Sequence, residues 1–145
     1  MKDNLKSFFT EHWNYMAVST ACKLELFDAL EKQNMGTKGL AKYLNLKEKQ
    51  LNILLKALLN IGFLNEVNDT YSLNEKSILL TENHPNSLKY ACLNWSGEHL
   101  NAWQNLEFSI QTGASSFTKL YGENYFDYLN NHPDKLHQYH KAMYE

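Results

Sequence analysis

The sequence predicts a mainly α protein: a winged helix-turn-helix with a small β-hairpin wing, followed by additional C-terminal helices. Three observations carry this. Apolar residues recur at spacings of three and four over residues 4–31 and again over 47–61. The stretch "LLKALLNIGFLNEVNDTYSLN", residues 54–74, runs from that helical pattern into two short alternating segments with Asn68-Asp69 as their turn. The helical pattern then resumes over 88–112 and once more near the end of the sequence.

Taken in order, residues 4–31 place Leu5, Phe8, Phe9, Trp13, Met16, Ala17, Thr20, Ala21, Leu24, Phe27 and Leu30 at helical spacing, one amphipathic helix or two with a wide apolar stripe. In "NMGTKGLAKYLNL" Thr37 is positioned as the N-cap of a short second helix containing Leu40, Ala41 and Leu44. Leu51, Leu54, Leu55, Leu58 and Ile61 mark a third helix over 47–61, which Gly62 ends with a left-handed cap. Phe63-Leu64 and Tyr71-Ser72-Leu73 are expected as the strands of the wing; two strands alone are marginal in water, so they must lean on the helices. Pro85 interrupts the chain, and 88–112 reads as helical with Trp95, Trp103, Leu106, Phe108 and Ile110. A Gly-punctuated loop follows, then a short aromatic helix around 125–129 and a last helix entered at Pro133, a favoured first-turn residue.

A chain of 145 residues with 43% apolar side chains suits one domain, read as 1–145 with helices and winged helix over 1–80 and a helical extension over 88–145. No run approaches the roughly 20 apolar residues that span a bilayer, so no membrane role is expected. Met1-Lys2-Asp3 leads into a polar-interrupted helix and not into a secretory signal, and Cys22 and Cys92 are too few for a disulfide framework; a cytoplasmic location fits. The net charge is -2, and all 14 basic residues are lysines. Without arginine the chain lacks the planar fork that most often reads guanine and grips phosphate. Lys47, Lys49, Gln50, Asn52, Lys56 and Asn60 on the third helix could touch DNA or form a solvated face. The second reading is favoured because the wing carries Glu66 and Asp69 where cations would be needed, and no nucleic-acid partner is expected.

His132, His137 and His140 lie close together, yet no cysteine pair or acidic residue at a recognisable spacing completes a metal site, and no metal is expected. His99 falls between Trp95 and Trp103 at four-residue spacing and would share a face with both indoles, as a core histidine or as one facing a ligand. The glycines at 36, 39, 62, 97, 113 and 122 never form Gly-x-Gly, so no phosphate-cradling turn is present. Ser96, Ser115 and Ser116 lack a nucleophile-elbow setting.

In order, "LELFDAL", a helix-turn-helix ending in "GFL", "YSLN", a Trp, "TG", "FDYL", a Pro and "AM" give a chain that resembles the N-terminal region of S-adenosylmethionine-dependent O-methyltransferases of the hydroxyindole, caffeate and bacterial natural-product type. The resemblance covers most of residues 17–143. It implies that the winged helix is a dimerisation module and that the later helices form a lid and one wall of an acceptor-substrate pocket. Trp95, His99, Trp103, Phe108 and Phe117 would lie near that pocket, while Tyr15, Met16 and Ser19 would reach into the pocket of a partner subunit. For any single aromatic, core packing is the competing reading.

In such enzymes S-adenosylmethionine and the catalytic histidine belong to a Rossmann-like domain that would follow "AM", and this sequence stops at Glu145. The resemblance therefore implies a part that is not catalytic alone, binds no cofactor itself, and works either within a longer enzyme or as a separate subunit, Met1 favouring the latter. Its partner would be a second copy or a methyltransferase catalytic subunit, its ligand a small aromatic acceptor. The alternative is a winged-helix transcriptional regulator sensing a small aromatic effector.

Overall fold

A computed structural model of the chain describes residues 2–145, with side chains from residue 5 onward. The chain divides into two compact units, Met1–Lys89 and Tyr90–Glu145.

In the first unit the wide apolar stripe forms two helices, α1 (Lys2–Lys23) and α2 (Leu26–Lys32). Glu25 sits between them at φ 56°, in the left-handed region, and this residue turns the chain. Helix α3 (Thr37–Tyr43) begins differently from the sequence expectation: Gly36, not Thr37, is the N-cap, and the Thr37 hydroxyl instead donates to Asn52 Oδ1 at 3.5 Å. A Cβ on Gly36 would lie 2.8 Å from the Asp69 carbonyl oxygen, so the close approach of the hairpin turn reserves this position for glycine.

Helix α4 (Glu48–Asn60) buries Leu51, Leu55 and Leu58 and packs on α1 and α3. Gly62, at φ 74°, ends it: the Gly62 N–H donates to the Leu59 carbonyl at 3.0 Å and the Phe63 N–H to the Leu58 carbonyl at 2.8 Å, a Schellman motif. This motif consumes Phe63, which the sequence places with Leu64 in the first strand, and Leu64 lies between it and the strand. The strands are instead β1 (Asn65–Val67) and β2 (Thr70–Ser72), antiparallel with Val67 opposite Thr70. Asn68 and Asp69 both take positive φ, 48° and 57°, the two-residue turn whose twist matches that of the strands. The small hairpin is anchored by a bridge between Met35 and Tyr71, with N···O distances of 3.3 and 3.0 Å, and the Tyr71 side chain is buried with Leu26, Phe27, Leu30, Leu40, Leu55 and Leu58.

The first unit closes on an ion-pair cluster. Lys89 is buried; its Nζ lies 2.9 Å from Asp28 Oδ2 and 3.2 Å from Glu82 Oε2, and Asp28 also accepts from the Glu82 N–H at 2.8 Å. Burial alone would push the Lys89 ammonium down, but the two carboxylates outweigh it and hold its pKa above the ordinary lysine value.

The second unit contains α5 (Lys89–Trp95), α6 (Glu98–Trp103), α7 (Leu106–Thr112), α8 (Ser116–Tyr121), α9 (Tyr125–Asn131) and α10 (Pro133–Tyr144). The helical stretch expected over 88–112 is thus three short helices. It breaks at Gly97, outside helical geometry at ψ -121°, and at Asn105, whose carbonyl is taken by the Ser116 hydroxyl at 2.7 Å. The loop expected after it contains α8, because Ser115 caps that helix by accepting from the Thr118 N–H at 3.2 Å and Gly122 ends it at φ 80°. Asn124 caps α9 through the Phe126 and Asp127 N–H groups, both at 3.1 Å. The Glu145 carboxylate accepts from the Tyr90 and Ala91 N–H groups at 3.0 and 2.7 Å and ties the end of α10 to the start of α5. Phe117, Leu129 and Ala142 are the buried centre. No helix among the described residues is long and apolar enough to cross a membrane.

Replacing Lys89 by Met strands the Asp28 carboxylate against an apolar side chain. The expected result is a loss of about 2 kcal/mol, seen as a lower urea midpoint at unchanged slope. Adding Asp28→Leu should recover part of it, because it removes the orphaned charge but also the acceptor of the Glu82 N–H.

Candidate functional site

The second unit holds an apolar recess of roughly 320 Å³. Helix α6 contributes His99, Ala102 and Trp103; α7 contributes Leu106 and Ser109; Ser115, Ser116 and Phe117 come from the start of α8, and Tyr125 from the start of α9. The breaks at Gly97 and Asn105 let α6, α7 and α8 fold back around a common space, since α8 packs against both others.

Aromatic edges form its walls. The Phe117 ring stands nearly perpendicular to Tyr125 with centroids 5.2 Å apart, and His99 lies 4.5 Å from Tyr125. The Tyr125 hydroxyl donates to Asn94 Oδ1 at 3.4 Å, a long bond. On the serine side, Ser109 Oγ accepts from the Ser116 N–H at 3.0 Å and makes a short contact with the Ser116 hydroxyl. These hydroxyls satisfy each other and the Asn105 carbonyl, so the serines close a turn and form no activated nucleophile.

Burial pushes the His99 imidazole below its ordinary value, and nearby Glu98 opposes this only in part, so the ring is neutral near pH 7. Burial also raises the Tyr125 phenol. Burial would raise Glu98, but the Lys135 ammonium 2.9 Å away outweighs it and keeps the carboxyl ionised.

Of the residues expected near an acceptor, His99, Trp103 and Phe117 come together here, with Trp103 67% exposed at the rim and Phe117 buried. Trp95 and Phe108 do not line the recess. The break at Gly97 ends the helical repeat that would have put Trp95 beside His99, and Trp95 is about half exposed on α5. Phe108 lies under Lys119, whose Nζ is 4.1 Å from the ring centroid, in a polar groove with Gln104 and Gln111. Sequence reasoning missed Tyr125, Leu106 and the serines. Tyr125 stood in a recognised aromatic cluster, whereas the serines carry no spacing signal.

On α1, Leu5, Phe8, Phe9 and Trp13 are each more than half exposed. Met16 is exposed and Tyr15 half-buried; Ser19 is fully buried and its hydroxyl donates to the Met16 carbonyl at 3.3 Å. A second apolar recess in the first unit is lined by Thr20, Leu24, Leu51 and Leu54, with Lys47 and Gln50 at its edge. Beside it Lys49 and Lys56 of α4 are exposed, as are Glu66 and Asp69 of the hairpin. His132 stacks on Tyr128 at 4.0 Å and His137 meets Tyr90 edge-on at 6.2 Å. Among the described residues no group of three or more His, Cys, Asp and Glu side chains is placed to hold a metal ion.

The family model of the O-methyltransferase dimerisation domain matches residues 7–83. The phenazine O-methyltransferase PhzM of Lysobacter antibioticus is 25% identical over 140 residues, 96% of this chain and 41% of that protein. The crystal structure of LaPhzM superposes with a TM-score of 0.93 at 24% identity, over 98% of this chain and 43% of that one, a likeness of fold. The N,N-8-amino-8-demethyl-D-riboflavin dimethyltransferase RosA of Streptomyces davawensis gives 0.92 at 25% identity, over 100% of this chain and 44% of that chain. The sequence thus spans about 41% of the length of its curated relative. A mainly α chain with one small hairpin, matched by that family model over more than half its length, belongs to the O-methyltransferase dimerisation domain family.

Proposed function

We propose that this chain is the self-associating, acceptor-holding part of an S-adenosylmethionine-dependent O-methyltransferase, with its two units serving as one dimerisation-and-lid domain. The observation that carries the reading is the face of α1. Leu5, Phe8, Phe9 and Trp13 recur at helical spacing, and all four are more than half exposed in a chain of a dimerisation family. Contiguous apolar patches of this kind on one element mark association surfaces, because hydrating them is costly and burying them against a second copy is not. The exposed Glu66 and Asp69 of the hairpin support an interaction role over a grip on phosphate.

The recess is the acceptor site in this reading. Trp103 and Phe117 hold a flat ring and His99 offers a polar edge; Trp95 and Phe108 belong to its surroundings. From a partner copy, Tyr15 and Met16 would complete the wall, whereas Ser19 is buried in its own unit and serves packing. The contribution to methyl transfer is orientation and exclusion of water. The residues of this chain do not fit the methyl donor. Among the described residues the only strands form an antiparallel hairpin, and no glycine-rich strand-to-helix turn is present to receive it. S-adenosylmethionine is thus assigned to another domain or polypeptide.

Two measurements test these parts. In sedimentation equilibrium the chain should be a dimer, and the double variant Phe8→Glu/Trp13→Glu should be a folded monomer; a parent that stays monomeric at high micromolar concentration overturns the self-association. In the assembled enzyme Trp103→Ala should reduce kcat/KM for the acceptor by about tenfold, the worth of one aromatic stacking contact, with affinity for the methyl donor unchanged. Equal loss of both would remove Trp103 from the acceptor site.

A further inference from the structure

We propose that His99 Nε2, on the recess, and Asn94 Nδ2, which adjoins it through Tyr125, form a receptor for a neutral carbonyl oxygen, so that the pocket selects planar aromatic ketones, lactams or quinone-like rings. This rests on the recess being the acceptor site.

Asn94 Nδ2 and His99 Nε2 are shut off from solvent, and neither has a hydrogen-bond partner among the described residues. Buried polar groups left unpaired are costly and uncommon, so two in one small unit require an explanation. Both belong to residues that Tyr125 touches. The His99 ring lies 4.5 Å from the Tyr125 ring, and the Tyr125 hydroxyl donates to Asn94 Oδ1 at 3.4 Å. His99 and Tyr125 also line the recess. The hydrogen bond holding the phenol is long, so Tyr125 is weakly held, and in the proposed complex it rotates aside to admit a ligand edge.

The chemistry of that edge follows from the donors. With Oδ1 committed to Tyr125, Asn94 offers an N–H, and a neutral imidazole offers Nε2–H in the matching tautomer. Burial keeps His99 neutral. Two donors on residues that both contact Tyr125 suit an oxygen that only accepts. A carboxylate would satisfy them too but would need a counter-charge. No lysine lines the recess, and the nearby Lys135 is already paired with Glu98 at 2.9 Å. A neutral carbonyl satisfies both donors without importing an unpaired charge.

The probes are 9-fluorenone and fluorene, which share their ring system and differ in one carbonyl, measured by equilibrium dialysis against the 145-residue chain. Fluorenone is expected to bind about tenfold more tightly, and His99→Phe, which keeps a ring and removes both nitrogens, should bring that ratio close to one. Asn94→Leu should reduce the ratio in the same direction and serves where the first variant fails to fold. Equal affinity of the parent for both probes, or an undiminished ratio in a folded variant, overturns the carbonyl receptor and leaves the acceptor site standing. Binding of neither probe overturns both.

Discussion

The structure depends on an imbalance in one helix. Helix α1 carries apolar side chains along its length, but its own unit covers only the later ones: Val18, Ala21 and Cys22 are buried, whereas Leu5, Phe8, Phe9 and Trp13 are not. The left-handed turn at Glu25 sets this division, because it ends α1 and sends Leu26, Phe27 and Leu30 of α2 into the core that α1 would otherwise have to fill. A helix with more apolar surface than its fold can cover gains stability from a second copy in proportion to the area removed from water. Self-association is then a consequence of how the first unit is packed.

The rest of that unit is tied down by polar contacts at its margins. The hairpin would be marginal alone, and it is held by the Met35–Tyr71 bridge, by burial of Tyr71, and by the contact of its turn with Gly36. At the other margin Lys89 gathers Asp28 and Glu82. Both devices join residues remote in sequence, and both act just outside the leucine core.

That remoteness explains what was legible in the sequence. Periodicity identified α1 to α4, and the Asn68-Asp69 turn and the stop at Gly62 followed from local backbone chemistry. The sequence places the first strand two residues early because Phe63 and Leu64 look like strand residues, while the Schellman closure that claims Phe63 depends on hydrogen bonds that side-chain pattern does not report. The break at Asn105 carries no spacing signal either: its carbonyl accepts from the Phe108 N–H and from the Ser116 hydroxyl, eleven residues away. His99, Trp103 and Phe117 are implied by the resemblance and come together on the recess, whereas Trp95 and Phe108, implied in the same way, do not. Tyr125 and the serines belong to the recess only through the return of α8 and α9, which spacing does not encode.

The same short helices bear on how a recess of this kind can work. Helices α6 to α9 have six or seven residues each, too short to be stable alone, and they persist through caps at Ser115 and Asn124 and left-handed ends at Gly113 and Gly122. Segments held by a few caps and little buried apolar surface open locally at lower free energy than a leucine-packed core. A recess walled by such segments can open locally, which a wall formed by one continuous helix over 88–112 would resist. The break at Gly97, which removes Trp95 from the side of His99, is one of the points that divide this part of the chain into short segments.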